Sequence, residues 1–245
     1  MASPSNAVAR ALMLQHSLTA LFKARKHMLP AMPSTFATLL QSADDGVATI
    51  LGKPGAREAL IELYCRVFQI PGREAEGREL WEESVAAAVF AGRLAQLLGV
   101  PVAAAFGGGL LHRSGEALAL RMLARVELDY RVQLDAVGRR DWCSSHGPEL
   151  AQLLVRGWGV PAPTATCALS WRQFGEFASL SGECSALYFG RLLATELLTP
   201  GRCVPGAIEQ TAEELGLADA VLEATRAEGL RARELLRVVQ LQSPA

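Results

Sequence analysis

From Glu79 to Leu98 the residues Trp81, Val85, Ala88, Val89 and Gly92 recur at helical spacing. Nowhere does a comparable stretch alternate with period two, and β-branched runs never last beyond a few residues. The two periods exclude one another, because a face built on 3.6 residues per turn scatters its apolar side chains to both sides of a strand. The chain is therefore expected to be all-α. Amino-acid usage agrees: half of the 245 residues are hydrophobic but only 6% are aromatic. A core rich in Ala and Leu favours packed helices over a sandwich or barrel.

The same spacing, with turn and cap residues, divides the chain. Helices are predicted over Ala7–His27, from a capping Ser34 through Leu40, over Ala56–Gln69, Glu79–Leu98 and Pro101–His112, and from Glu116 to about Val137. Further helices are predicted from Ser144 to Trp158, with Pro148 in the first turn, then over Thr164–Phe177, Ser181–Leu198, Glu209–Leu215 and Ala218–Val239. Pro71-Gly72 and the charged run Arg73–Glu79 read as a solvated connector. Three parts are expected: an amphipathic helix in 1–28, an N-terminal helical part in 29–78, and a helical core with C-terminal helices in 79–245.

Charge and hydropathy exclude several roles. Lys and Arg total 24 against 25 acids, a formal net charge of −1, which gives no electrostatic case for nucleic acid. Leu94–Leu111 is uncharged and long enough to cross a bilayer, but Pro101 and Gly107-Gly108-Gly109 interrupt it. Two buried helices are expected there, and no membrane partner. No acid precedes Asp44, as in a transit peptide, yet Gln15 and His16 interrupt the apolar stripe and no small-residue cleavage site follows. A docked terminal helix is the expectation. Five scattered cysteines without a C-x-x-C pair fit a reducing compartment, the cytoplasm. Cys143-Ser144-Ser145-His146 has C-x-x-H spacing but no partner pair, and the Gly107 triplet fits no phosphate-loop register. No cofactor is expected. Arg121, Arg125, Arg131, Arg139 and Arg140 form a local basic strip.

Five short motifs occur in a suggestive order: Leu29-Pro30-Ala31-Met32-Pro33, Trp81 through Ala86, Ala105-Phe106 followed by Gly109-Leu110-Leu111-His112-Arg113-Ser114-Gly115, Trp158-Gly159-Val160-Pro161, and Glu213 through Leu217. In order and spacing they resemble the HDOD family, the HD-related output domains of bacterial signalling proteins. The resemblance covers nearly the whole chain after Leu29. It implies an HD-like multi-helix bundle with an N-terminal helical subdomain, used as a signalling output or scaffold module.

The same resemblance places a vestigial site at Glu83, His112, Arg113, Glu116 and His146. Where the family has W-x-H, this chain has Glu83. Of the H-D pair His112 remains, and the aspartate is Arg113. The lysine after the box glycine is Glu116. A later histidine falls on Gly147, with His146 one place early, and another falls near Trp171 or Arg172. HD chemistry needs imidazoles and carboxylates converging on a metal that activates water. A guanidinium cannot ligate that metal, and two like unit charges about 5 Å apart cost roughly 3 kcal/mol at an effective dielectric near 20. The chain is expected to be no enzyme and to act by binding a protein partner. No receiver, cyclase or DNA-binding segment is read within it, so input is expected from another chain or a small molecule. Two alternatives are a nucleotide or cyclic-dinucleotide sensor that uses Arg113 as an anion contact, and a residual metal-dependent phosphohydrolase with Glu83, His112, Glu116 and His146 as a rearranged ligand set.

Overall fold

The computed structural model describes residues 29–41, 47, 52–53, 55–131, 133–171 and 181–240. The predicted helix Ala7–His27 and the 172–177 end of the predicted Thr164–Phe177 helix, with Arg172, lie outside them. The described residues form helices and turns, with no strand among them, so the chain is all-α. In chain order the helices are α1 (Ser34–Gln41), α2 (Ala56–Leu63), α3 (Glu74–Leu98), α4 (Val102–Leu111), α5 (Ser114–Tyr130) and α6 (Ala136–Gly157). They continue with α7 (Ala162–Ser170), α8 (Gly182–Leu198), α9 (Ala207–Glu214), α10 (Asp219–Ala227) and α11 (Gly229–Gln240).

Helix α3 is the spine. Ala86, Ala87, Ala88 and Ala91 are fully buried along it, and neighbouring helices seat against their backbone. A Cβ on Gly109 of α4 would fall 2.4 Å from the Ala88 Cα. On Gly190 of α8 it would fall 2.7 Å from the Ala91 nitrogen and 2.9 Å from the Ala87 oxygen. Approaches this close admit only glycine, which explains an uncharged, glycine-rich α4 as buried packing; no described helix is long and apolar enough to cross a membrane. Trp81 of α3 meets Tyr64 and Phe68 at ring distances of 5.8 and 5.2 Å. One main buried cluster runs from Phe36 through these residues to Leu236.

Two of the sequence motifs touch. The Trp158 indole donates to the Pro30 carbonyl at 2.7 Å and meets Phe36 edge-on at 6.1 Å. Leu29–Pro33 and Trp158–Pro161 thus clamp the N-terminal helices onto the end of α6.

Several expected boundaries shift. Arg73–Glu79 is not a connector: α3 starts at Glu74, whose carboxylate accepts from the Gly72 N–H at 2.7 Å. Acids in a first turn favour the helix dipole, so a charged run there begins a helix as readily as it fills a loop. Helix α6 starts at Ala136, not near Ser144, because Asp135 caps it by accepting from the Gly138 N–H at 2.8 Å. Pro148 consequently lies inside the helix. Helix α5 stops at Tyr130, since Arg131 takes a left-handed φ of 52° and the Leu134 N–H turns back to the Glu127 carboxylate. Ser34 is the first helical residue rather than its cap; the Pro33 carbonyl accepts from Phe36 and Ala37. The predicted Ala218–Val239 helix is two, broken between Ala227 and Gly229. Helix α2 ends in a π turn, Tyr64–Phe68.

Candidate functional site

Helices α3 and α5 bring Glu83, Arg113 and Glu116 together. The Arg113 Nε lies 3.2 Å from Glu83 Oε2, and Nη2 lies 3.1 Å from Glu116 Oε2. The second pair follows from i, i+3 spacing, which puts both side chains on one face of α5. The first depends on α3 passing beside the start of α5. All three side chains are between an eighth and a quarter exposed, so water screens the ion pairs only in part.

These residues line a cleft of about 630 Å³ between α3, α5 and α6, with Trp171 also in its wall. Its lining has as many arginines as glutamates, and most are paired. Arg139 reaches Glu76 at 3.0 Å and Arg202 reaches Glu79 at 3.7 Å. Arg140 has no carboxylate partner among the described residues. Burial and the neighbouring Glu116 carboxylate push the Cys143 thiol in the wall up to about 12, which keeps it protonated.

Trp171, the last described residue beyond α7, organises the cations. The Arg191 guanidinium of α8 lies 4.2 Å from its ring centroid and donates to its carbonyl at 3.1 Å. Arg113 lies 5.4 Å from the same ring. Burial, then the Arg113 charge, pull Arg191 down to about 10 against the opposing pull of Glu83. Two guanidiniums and two carboxylates therefore form one mutually compensating cluster.

His112 is buried just beneath. Its Nδ1–H donates to the Gly109 carbonyl at 2.6 Å, and its ring meets Trp171 edge-on at 5.2 Å. His112, Glu116, Gly147 and Trp171 share a void of only about 20 Å³, room for roughly one water. A Cβ on Gly147 would stand 3.1 Å from Glu116 Cγ, so position 147 faces the site. His146, one residue round α6, instead stacks on Trp142 at 3.7 Å. The rearranged ligand set of Glu83, His112, Glu116 and His146 does not converge: both glutamates hold Arg113, and His146 packs on a different ring. No group of three or more His, Cys, Asp or Glu side chains among the described residues is placed to hold a metal ion. The donor set does not fit the metal of an HD site.

Residues 58–172 match the family model of the HDOD domain. The chain carries an HDOD domain. No curated protein and no solved structure matches the chain. The HDOD segment runs from α2 to just past Trp171 and holds every predicted site residue, while the Leu29–Pro33 and Glu213–Leu217 motifs lie outside it. Of the positions where the resemblance expects further histidines, Gly147 borders the small void beside His112, Trp171 lines the cleft, and Arg172 lies outside the described residues.

Sequence reasoning missed Arg191. One signal was available: it is the only cation in α8 and sits within the apolar run Leu187–Leu193. A charge in such a run is rarely buried without a partner. The basic strip, by contrast, disperses. Arg121 is turned inward to the Arg66 and Gln69 carbonyls at 2.6 and 2.8 Å. Arg125 pairs with Asp129, and Arg139 with Glu76.

Proposed function

We infer that this HDOD domain is a non-catalytic regulatory module of bacterial signal transduction, cytoplasmic, and that it works by binding a protein partner. The observation that carries the inference is the seat of Arg113. Arg113 stands where the resemblance expects the metal-bridging aspartate, and its guanidinium is held by Glu83 and Glu116. A cation in that seat opposes a divalent ion and ties up the groups that would bind one. The HD-like frame is kept while the groups that do chemistry are exchanged for ion pairs.

A second reading, a nucleotide or cyclic-dinucleotide sensor, draws support from the cleft itself. Its volume of about 630 Å³ is that of a small-molecule site. Arg140 brings a guanidinium without a carboxylate partner among the described residues, and Trp171 brings an aromatic surface.

The test combines three measurements on one preparation purified without chelator. Protein-partner binding predicts specific capture of a partner from lysate of the source cell, reduced by Arg113→Glu. It also predicts no stoichiometric transition metal and no melting shift with nucleotides. A nucleotide that raises the melting temperature moves the assignment to the sensor, because a ligand of the folded state must stabilise it. Stoichiometric metal, with phosphohydrolase turnover abolished in His112→Ala, overturns the non-catalytic reading.

A further inference from the structure

Away from the cleft, Cys167 of α7 and Cys184 of α8 meet in the core with their sulfurs 3.4 Å apart. We propose that these two cysteines are a peroxide-responsive dithiol, with Cys184 the attacking sulfur and Cys167 the resolving one.

The geometry makes the two sulfurs unequal. Cys184 is the third residue of α8, where backbone N–H groups lack intrahelical partners and the helix dipole favours negative charge. The Ser170 hydroxyl, which donates to the Thr166 carbonyl at 2.8 Å, lies 3.4 Å from its sulfur. Hydrogen bonding from Cys167, against the opposing effect of burial, brings the Cys184 thiol down to about 6. Cys167 is fully buried, and its thiol is pushed up by the same contact and by burial. A thiolate at a helix start beside a protonated second thiol is the arrangement that reactive cysteine pairs use. The remaining cysteines lack it: Cys143 and Cys203 are shifted upward by burial, and Cys65 is exposed without a sulfur neighbour among the described residues.

Burial selects the oxidant. Cys184 is 5% exposed and Cys167 not at all, so a small uncharged oxidant is favoured over bulky thiols and disulfides. Hydrogen peroxide is the oxidant class that fits. The Cys184 thiolate attacks one peroxide oxygen, the O–O bond breaks, and the departing hydroxide is protonated to water, leaving a sulfenic acid. The Cys167 sulfur then attacks the Cys184 sulfur. An S–S bond forms, the S–O bond breaks, and the second hydroxide leaves as water with the Cys167 proton. Two thiols and one peroxide give one disulfide and two waters. Closing the bond brings the sulfurs together by about 1.3 Å. Cys167 is braced from behind, since a Cβ on Gly108 would lie 2.4 Å from its Cβ, so the movement falls on the first turn of α8.

The experiment treats the full chain with hydrogen peroxide under native conditions, alkylates it and maps the peptides. The expected result is a Cys167–Cys184 linked peptide lighter by two hydrogens. After unfolding in denaturant the titre of free thiols should have fallen from five to three, and dithiothreitol added there should restore it. In Cys167→Ser the sulfenic acid at Cys184 should persist and be trapped by dimedone present during unfolding, with no linked peptide. Oxidation of Cys65 or Cys143 ahead of this pair overturns the proposal. So does conversion of Cys184 to sulfinic acid in the wild-type chain without linkage. Both readouts come from the unsubstituted protein, so a poorly folding variant does not blunt them.

Discussion

Arg191 grips Trp171 twice, through the ring face at 4.2 Å and through the backbone carbonyl at 3.1 Å. The double contact fixes the end of α7 against α8 and sets the indole beside Arg113 and His112. Cation–π contacts are worth roughly 0.5–2 kcal/mol, the larger value where water is excluded. Trp171→Leu keeps an apolar side chain but removes the ring from both guanidiniums. It should lower unfolding stability by about 2 kcal/mol in urea titrations, and an unchanged midpoint would remove the indole from any organising role.

Arg113→Ala leaves Glu83 and Glu116 facing one another without their shared cation. The expected loss is about 1–2 kcal/mol, more than for a fully exposed pair because the three side chains are mostly covered. Adding Glu83→Gln should recover part of it. A double-mutant cycle should return a coupling of about 1 kcal/mol that shrinks in high salt. Strict additivity would mean that the pair contributes nothing.

The glycines on the spine offer a sharper contrast. Gly109→Ala places a methyl 2.4 Å from the Ala88 Cα and Gly190→Ala places one 2.7 Å from the Ala91 nitrogen, and neither obstacle can rotate away. Each should cost about 3 kcal/mol, the upper end for overpacking. Gly157→Ala meets only the Leu29 Cδ1 at 3.6 Å, an ordinary contact at the end of α6. There the helix preference for alanine should leave stability unchanged or raise it by about half a kcal/mol. Melting temperatures of the three variants, measured side by side, test the ranking.

Stability should also depend on pH through His146. Burial holds its imidazole below the ordinary 6.5, with Glu149 opposing. As pH falls, the unfolded chain takes up this proton first, so the contribution is present above 6.5 and is lost progressively below it. The wild-type melting temperature should therefore fall more steeply than that of His146→Gln between about pH 6.5 and 5. Parallel curves would show that the imidazole is not held neutral by its surroundings.

Arg121 tests the π turn. Its guanidinium, pulled below its ordinary range by burial, satisfies the carbonyls of Arg66 and Gln69 at and just beyond the turn. Arg121→Met keeps the stem and orphans both acceptors. The loss should be about 2 kcal/mol. Hydrogen exchange at the end of α2 should rise with it, and protection there equal to wild type would contradict this role.

The helical class was legible because it rests on local periodicity, whereas Glu83, Arg113 and Glu116 were grouped by the resemblance, since Glu83 meets Arg113 only through the packing of α3 beside α5. Helical spacing marks α3, and i, i+3 spacing pairs Arg113 with Glu116 before any tertiary contact is known. Arg191 and Trp171 were not, because their meeting depends on how α7 and α8 dock and no local pattern encodes it. The register of α6 failed for a different reason. Pro148 looked like a first-turn residue, yet Asp135 caps the helix well upstream, and the cap outweighed the interior proline. Within that helix Gly147, not His146, borders the small void beside His112.

Helix α3 meets its neighbours main chain to main chain, at Ala88 with Gly109 and at Ala87 and Ala91 with Gly190. The distance between those helices is thus set by atoms that mutation of a side chain does not alter. The side chains that line the cleft can then change without moving the scaffold that presents them.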